Sequence, residues 1–220
     1  MWSELRRYPK SSVERLSVAL AILIILVAVV GVWLAPHDPL LIDFRSKLLP
    51  PSPEHWLGTD GSGRDVLSRL LAGARLTLTS TMMVILSALV IGCTIGIASA
   101  FLGGAIDNLL MRLTDIWLGF PPLILALGFA AAMGASLEAA IWALVFSWWP
   151  NYARLCRMIT RDILAQKYMA SASALGVSTL RKVFRYVLPN AFDVLIIQVT
   201  LDISAVMLGI SGLSFIGVGA

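Results

Sequence analysis

Twenty consecutive residues, Leu16 to Ala35, carry no charge, and longer uncharged stretches follow at Leu76–Ile106 and Ile116–Leu137. A helix rises about 1.5 Å per residue, so about 20 apolar residues cross a hydrocarbon core of roughly 30 Å. In lipid the backbone must satisfy its own hydrogen bonds, which leaves the helix as the fold for segments of this length. The chain therefore reads as all-α, a polytopic transmembrane helix bundle. Its 14% of charged residues, against roughly a quarter in soluble domains, agrees.

A fourth stretch, Ala139–Ala153, follows the third after a tight turn around Gly134–Glu138. It is short for a bilayer, but Trp142, Trp148, Trp149 and Tyr152 favour the interface and Arg154 can snorkel outward. A fifth runs from near Ala191 to about Gly212, interrupted by Asp193 and Asp202. The expected organisation is a tail over 1–15, a first span over 16–35, an outer loop over 36–75 and a core over 76–220. The end, SGLSFIGVGA, is apolar to its last residue, which leads us to expect a sixth span beyond residue 220.

Orientation follows from charge. Between Ala153 and Ala191 stand Arg154, Arg157, Arg161, Lys167, Arg181, Lys182 and Arg185 against the single acid Asp162, whereas residues 36–75 carry five basic and five acidic groups. Lys and Arg accumulate on the cytoplasmic side, so loop 154–190 and the amino terminus are expected inside and 36–75 outside. Topology accounts for the net charge of +4, and no nucleic-acid partner is expected. A cleaved secretory signal is not expected either, because WLAPHDP offers no A-x-A-like site.

Several motifs sit on this frame. Ala88, Gly92, Gly96, Ala100 and Gly104 recur every fourth residue and form a smooth ridge, suited to close helix packing in lipid. GTDGSGR at 58–64 superficially resembles a phosphate-binding loop, but Arg64 stands where Lys is required and Asp65 where a hydroxyl is required. Val66, Leu67, Leu70, Leu71, Ala74 and Leu78 share one helical face, with Asp65, Ser68, Arg69 and Arg75 opposite, as in an amphipathic helix at the outer surface. Asp60 and Gly58, Gly61 and Gly63 are expected to form its turn and cap.

Asp202, a carboxylate in mid-span, costs roughly 2.5–3.5 kcal/mol to insert and should face the bundle interior, as a lining group of a translocation path or as a partner of a neighbouring helix. Asp107, Arg112 and Asp115 are expected to make local pairs at the inner ends of spans. Cys93 and Cys156 are too far apart in sequence for a CxxC site, and His37 and His55 stand eighteen residues apart in the outer loop, so no metal site and no catalytic residues are expected.

The segment Tyr168–Asn190 resembles the cytoplasmic EAA loop of permease subunits of bacterial ABC importers: Ala170-Ser171-Ala172, then Gly176, then Leu188-Pro189. Ala170 stands at the Glu position of that pattern and Ser171 at its first Ala. HWLGTDGSGRDVLSRLLAGAR, GGAIDNLLMRLTDIWLGFPPLILAL and GLSFIGVGA narrow the resemblance to the dipeptide/oligopeptide/nickel branch, and within it to the second of two non-identical permeases. The resemblance implies a type I importer permease of about six spans, with a second homologous permease, two cytoplasmic ATPase subunits, a periplasmic or lipid-anchored substrate-binding protein and a bacterial inner membrane around it. It also implies that Ala170, Ser171, Ala172, Ser173, Ala174, Leu175, Gly176, Arg181, Leu188 and Pro189 help dock an ATPase, with ATP and Mg bound in that partner and no cofactor here.

Two other classes stand beside this reading. A stand-alone secondary transporter or channel would show an internal repeat or several intramembrane charges, and neither is found. A membrane enzyme would need converging acid, base or metal ligands, and the sequence offers no HExxH or GxSxG.

Overall fold

A computed structural model of the chain describes residues 12–218. Most of the amino-terminal tail and the last two residues of the GLSFIGVGA stretch lie outside them. The elements are α1 (Ser12–Val30), α2 (Val66–Leu102), α3 (Gly104–Leu118), α4 (Pro122–Met133), α5 (Leu137–Leu164), α6 (Lys167–Ala174), α7 (Thr179–Lys182) and α8 (Leu188–Phe215), with no strand among the described residues. They form two units, residues up to Thr79 and residues from Ser80, and α2 runs from one into the other.

In the first unit α1 is apolar on every side, and its Leu, Ile and Val side chains are exposed, as a helix facing lipid requires. Gly31, just beyond it, lies so close to Leu71 that a Cβ would stand 2.8 Å from Cδ2 of that leucine. The Arg75 guanidinium covers the Trp33 ring at 5.1 Å.

The segment between α1 and α2 is folded by carboxylates. Asp60 accepts from the backbone N–H of Ser62 (2.8 Å) and Arg64 (3.0 Å) and from Arg64 Nε (2.9 Å). Gly58 and Gly63 take positive φ, and a Cβ on Gly63 would collide with the Asp43 carbonyl. The expected cap is corrected in one respect: Asp60 makes the turn, but Asp65 caps α2, its Oδ2 accepting from Ser68 N (2.8 Å) and Ser68 Oγ (2.7 Å). Gly61 keeps an ordinary backbone.

In the second unit α5 is the central helix, with Ala140, Ala143, Leu144, Val145 and Tyr152 fully buried. Ala126 and Ala130 of α4 and Val206, Ile210 and Leu213 of α8 join the same core. Pro150 interrupts α5 and has no N–H to give the Phe146 carbonyl; the Trp117 indole donates to it instead, at 2.8 Å.

Several expected boundaries move. The stretch Val66–Leu102 is one unbroken helix, about 55 Å long, so the segment expected as a surface helix and the second span are continuous, and the expected faces are corrected: Asp65 and Ser68 are buried while Leu70 is exposed. The third span is broken: α3 and α4 meet at 91° across Gly119-Phe120-Pro121, because proline lacks an N–H and forces the preceding residue out of helical geometry. The fourth extends to Leu164, and the fifth is continuous from Thr179 to Phe215.

Three helical stretches among the described residues are long and apolar enough to cross a membrane, Arg15–Leu34, Val66–Leu102 and Thr179–Phe215, and a fourth if the bent pair counts as one. α5 is not among them, since Trp148 to Tyr152 dilute its apolar character. A helix packed largely against protein need not be uniformly apolar, and α5 buries one face, including Leu144, Val145, Trp148 and Tyr152, while Trp142, Phe146 and Met158 stay exposed.

Candidate functional site

The ridge on α2 meets the backbone of α5. A Cβ on Gly92 would fall against the Trp149 carbonyl and 2.6 Å from Tyr152 Cβ, and one on Gly96 against the Ala153 carbonyl and 2.9 Å from Arg157 N. Ala88 is fully buried in line with them, and Ala100 is half-buried. Gly104 is a correction: α2 ends at Leu102, Gly103 and Gly104 both turn at positive φ, and Gly104 is exposed at the start of α3. The fourfold period in sequence outruns the helix that carries it. Beside the ridge Cys93 of α2 and Cys156 of α5 form a disulfide pair with Cα atoms 5.2 Å apart, a meeting their separation of 63 residues concealed.

At the end of this contact Asp107, 1% exposed, receives Arg157 through Nη2 at 2.6 Å, together with Arg161 and the Ser99 hydroxyl. Asp115 pairs with Arg154. These pairs are not local, contrary to expectation. They tie α3 to α5, and so draw Arg154, Arg157 and Arg161 out of the expected loop and onto a helix.

Asp202 is turned toward α5. Its Oδ1 accepts from Gln198 Nε2 at 3.1 Å, while its Oδ2 is buried without a hydrogen bond, as is the Tyr152 hydroxyl with which the carboxylate interacts.

The Tyr168–Asn190 segment is a helical hairpin. α6 ends in a Schellman turn in which Val177 N bonds the Ala172 carbonyl and Gly176 N the Ser173 carbonyl, both at 3.0 Å, with Gly176 at φ +71. A side chain meets nothing within 4 Å there, so backbone freedom, not space, calls for glycine. Lys182 Nζ reaches back to Ser173 Oγ at 2.8 Å.

Between α7 and α8 the helix widens to a π-turn over Val183–Val187, with Leu188 N bonding the Val183 carbonyl. Pro189 explains it: proline offers no N–H to Arg185 and clashes with that carbonyl, and the extra residue in the turn relieves both. Leu188 and Pro189 thus open α8 rather than punctuate a loop.

Met169 and Val187 anchor the hairpin, packing with Ile163, Ile97 and Phe101. Ala172 is buried with them, so the run Ala170–Ala174 is not a surface throughout; Ala170, Ser171, Ser173 and Ala174 face outward. Leu175 (83% exposed), Leu180 (71%) and Phe184 (67%) stand uncovered beside the exposed Arg181. Leu175 was among the residues expected to dock a partner, but Leu180 and Phe184 escaped the sequence reading, which attended to the small and basic residues around them.

A second cluster was also missed. His37 and His55 are brought together, ring centroids 4.7 Å apart, over the buried Asp65. The only signal in the sequence was that both histidines of the chain lie in one short segment.

Fold and site define a class: an all-α membrane protein with a core of closely packed small-residue helices and an exposed, basic helical hairpin. Residues 90–220 match the family model described as binding-protein-dependent transport system inner membrane component. The chain is 38% identical to the probable D,D-dipeptide transport system permease protein of Escherichia coli K12, over 93% of its own length and 68% of that protein's. It is 36% identical to the nickel transport system permease protein of the same strain, over 94% and 76%. To the dipeptide transport system permease protein of Bacillus subtilis 168 it is 33% identical, over 97% and 67%. The chain belongs to this family and is a multi-pass inner-membrane permease subunit of an ABC importer.

Proposed function

We propose that this subunit, with a second homologous permease, forms a path for small peptides or for nickel and other metal chelates, and that the hairpin Ala170–Pro189 docks a cytoplasmic ATPase subunit. The observation that carries the reading is the uncovered apolar set Leu175, Leu180 and Phe184 next to Arg181. Water-exposed aromatic and aliphatic side chains on an anchored hairpin suit burial in a partner's groove. Two ATPase subunits would bind ATP and Mg, and an outer binding protein would deliver the substrate. The substrate classes come from the peptide and nickel permeases that the chain resembles.

On this reading the chain crosses the membrane five times from a cytoplasmic amino terminus, with α3 and α4 as one broken span and α5 as the fourth, packed on one face against the core. The Lys/Arg excess after Ala153 supports that orientation. Asp202, with Tyr152, lies along the path or holds α8 to α5.

The test is a crosslink. In a background with Cys93→Ala and Cys156→Ala, cysteines at Ser173 and Leu175 are expected to join the chain to an ATPase subunit in membranes. No crosslink from either position in a complex that still transports would remove the docking assignment.

A further inference from the structure

His37, His55 and Asp65 converge from three separate points of the first unit. Each offers one ligand atom, and the three atoms lie within 4.8 Å of one another. Nδ1 of His55 stands 3.0 Å and Nδ1 of His37 3.9 Å from the same oxygen, Asp65 Oδ1. A four-coordinate ion with bonds of about 2.0–2.2 Å separates its ligands by roughly 3.3–3.6 Å, a spacing that these two distances bracket.

The carboxylate is held ready. Its other oxygen is fixed by Ser68 N and Ser68 Oγ, and the Ser68 hydroxyl also accepts from the backbone N–H of His37 at 3.1 Å. The His55 backbone is tied to Ser52 Oγ at 3.1 Å. Such outer hydrogen bonds orient metal ligands and raise their affinity. The group opens into a cleft bordered by Asp38 and Asp43, whose charges add to that of Asp65 and attract a cation.

We propose that His37, His55 and Asp65 form a site for a divalent transition-metal ion of the zinc, nickel or cobalt kind, with a fourth position open to the cleft. Two imidazoles and one carboxylate favour such borderline ions over magnesium or calcium, which prefer all-oxygen shells. Both histidines of the chain are spent on the site.

The experiment uses the full chain, free of any histidine tag, in lipid nanodiscs. Titration with Co2+ should show one saturable site per chain, with the absorption of a nitrogen-ligated ion, displaced by Zn2+. His37→Phe keeps an aromatic ring beside His55 and leaves the Asp65 cap intact, so the fold should persist, as metal-free thermal unfolding checks. Its Co2+ affinity should fall about tenfold or more, as should that of His55→Asn. No saturable Co2+ binding by the wild-type chain, or unchanged binding in both variants, would overturn the site.

Discussion

Asp107 on α3 and Arg157 on α5 stand fifty residues apart in sequence and form a partly buried ion pair, Arg157 Nη2 donating to the buried Asp107 Oδ2 at 2.6 Å. The carboxylate also takes the Ser99 hydroxyl of α2, so one side chain joins three helices. Removing the carboxylate strands Arg157 in a partly buried site, at a cost below the roughly 3–5 kcal/mol of a fully buried pair and above the roughly 0–1 kcal/mol of an exposed one. Asp107→Ala should therefore lower the yield and melting temperature of the assembled protein, and Arg157→Met combined with it should recover part of the loss. A melting temperature unchanged in Asp107→Ala would contradict the arrangement.

Two glycines of α2 give opposite expectations. At Gly96 a methyl group would meet the α5 backbone, and overpacking costs about 1–3 kcal/mol, so even Gly96→Ala should destabilise. At Gly73 a Cβ meets nothing within 4 Å, and Gly73→Ala should be neutral or stabilising by up to about 1 kcal/mol. Thermal unfolding of the two variants side by side decides; equal effects would mean the ridge is not a close contact.

At Gly176 the expectation separates folding from coupling. Valine cannot hold φ +71 without strain of about 1–3 kcal/mol, so Gly176→Val should loosen the Schellman turn while the long helices insert normally. Uptake should fall with membrane levels unchanged, and Gly176→Asn, which tolerates that backbone better, should be milder. Full uptake by the valine variant would count against a coupling role for the turn.

Asp202→Leu removes the carboxylate beside Tyr152 and should reduce transport or assembly; Asp202→Asn, which keeps an acceptor for Gln198, should assemble normally. If both variants transport like the parent, the carboxylate is incidental to the path.

The turn at Asp60 carries a pH signature. Burial pushes its carboxyl up, but the backbone N–H groups of Arg64 and Ser62 and the Arg64 guanidinium outweigh it and hold the pKa at about 2, below the ordinary 3.8. A depressed folded-state value stabilises above pH 3.8 and is lost as the pH falls through about 2. Fluorescence of the exposed Trp56 should stay constant above about pH 4 and change as the pH falls toward about 2, and the change should be smaller in Asp60→Asn.

Labelling from the outer face of sealed cells should reach Glu54→Cys and not Lys167→Cys, both in a background lacking Cys93 and Cys156. The reverse pattern would invert the proposed orientation.

What the sequence by itself determined was the chemistry that acts over short range. Uncharged runs dictated membrane helices because lipid leaves backbone polar groups no other partner. Gly176 fixed the hairpin turn because its conformation is a local property, and the orientation proposed above rests on the Lys/Arg excess because a charge count needs no fold.

Tertiary structure decided everything that depends on which helices meet. The ridge ended at Leu102 and not at Gly104 because two positive-φ glycines stop the helix, whereas residue period alone continues through them. Asp107 found its arginines, Trp117 the carbonyl freed by Pro150, and His37 its partners His55 and Asp65 only through packing. Such contacts join residues tens of positions apart, and no spacing in the sequence encodes a distance that chain folding alone creates.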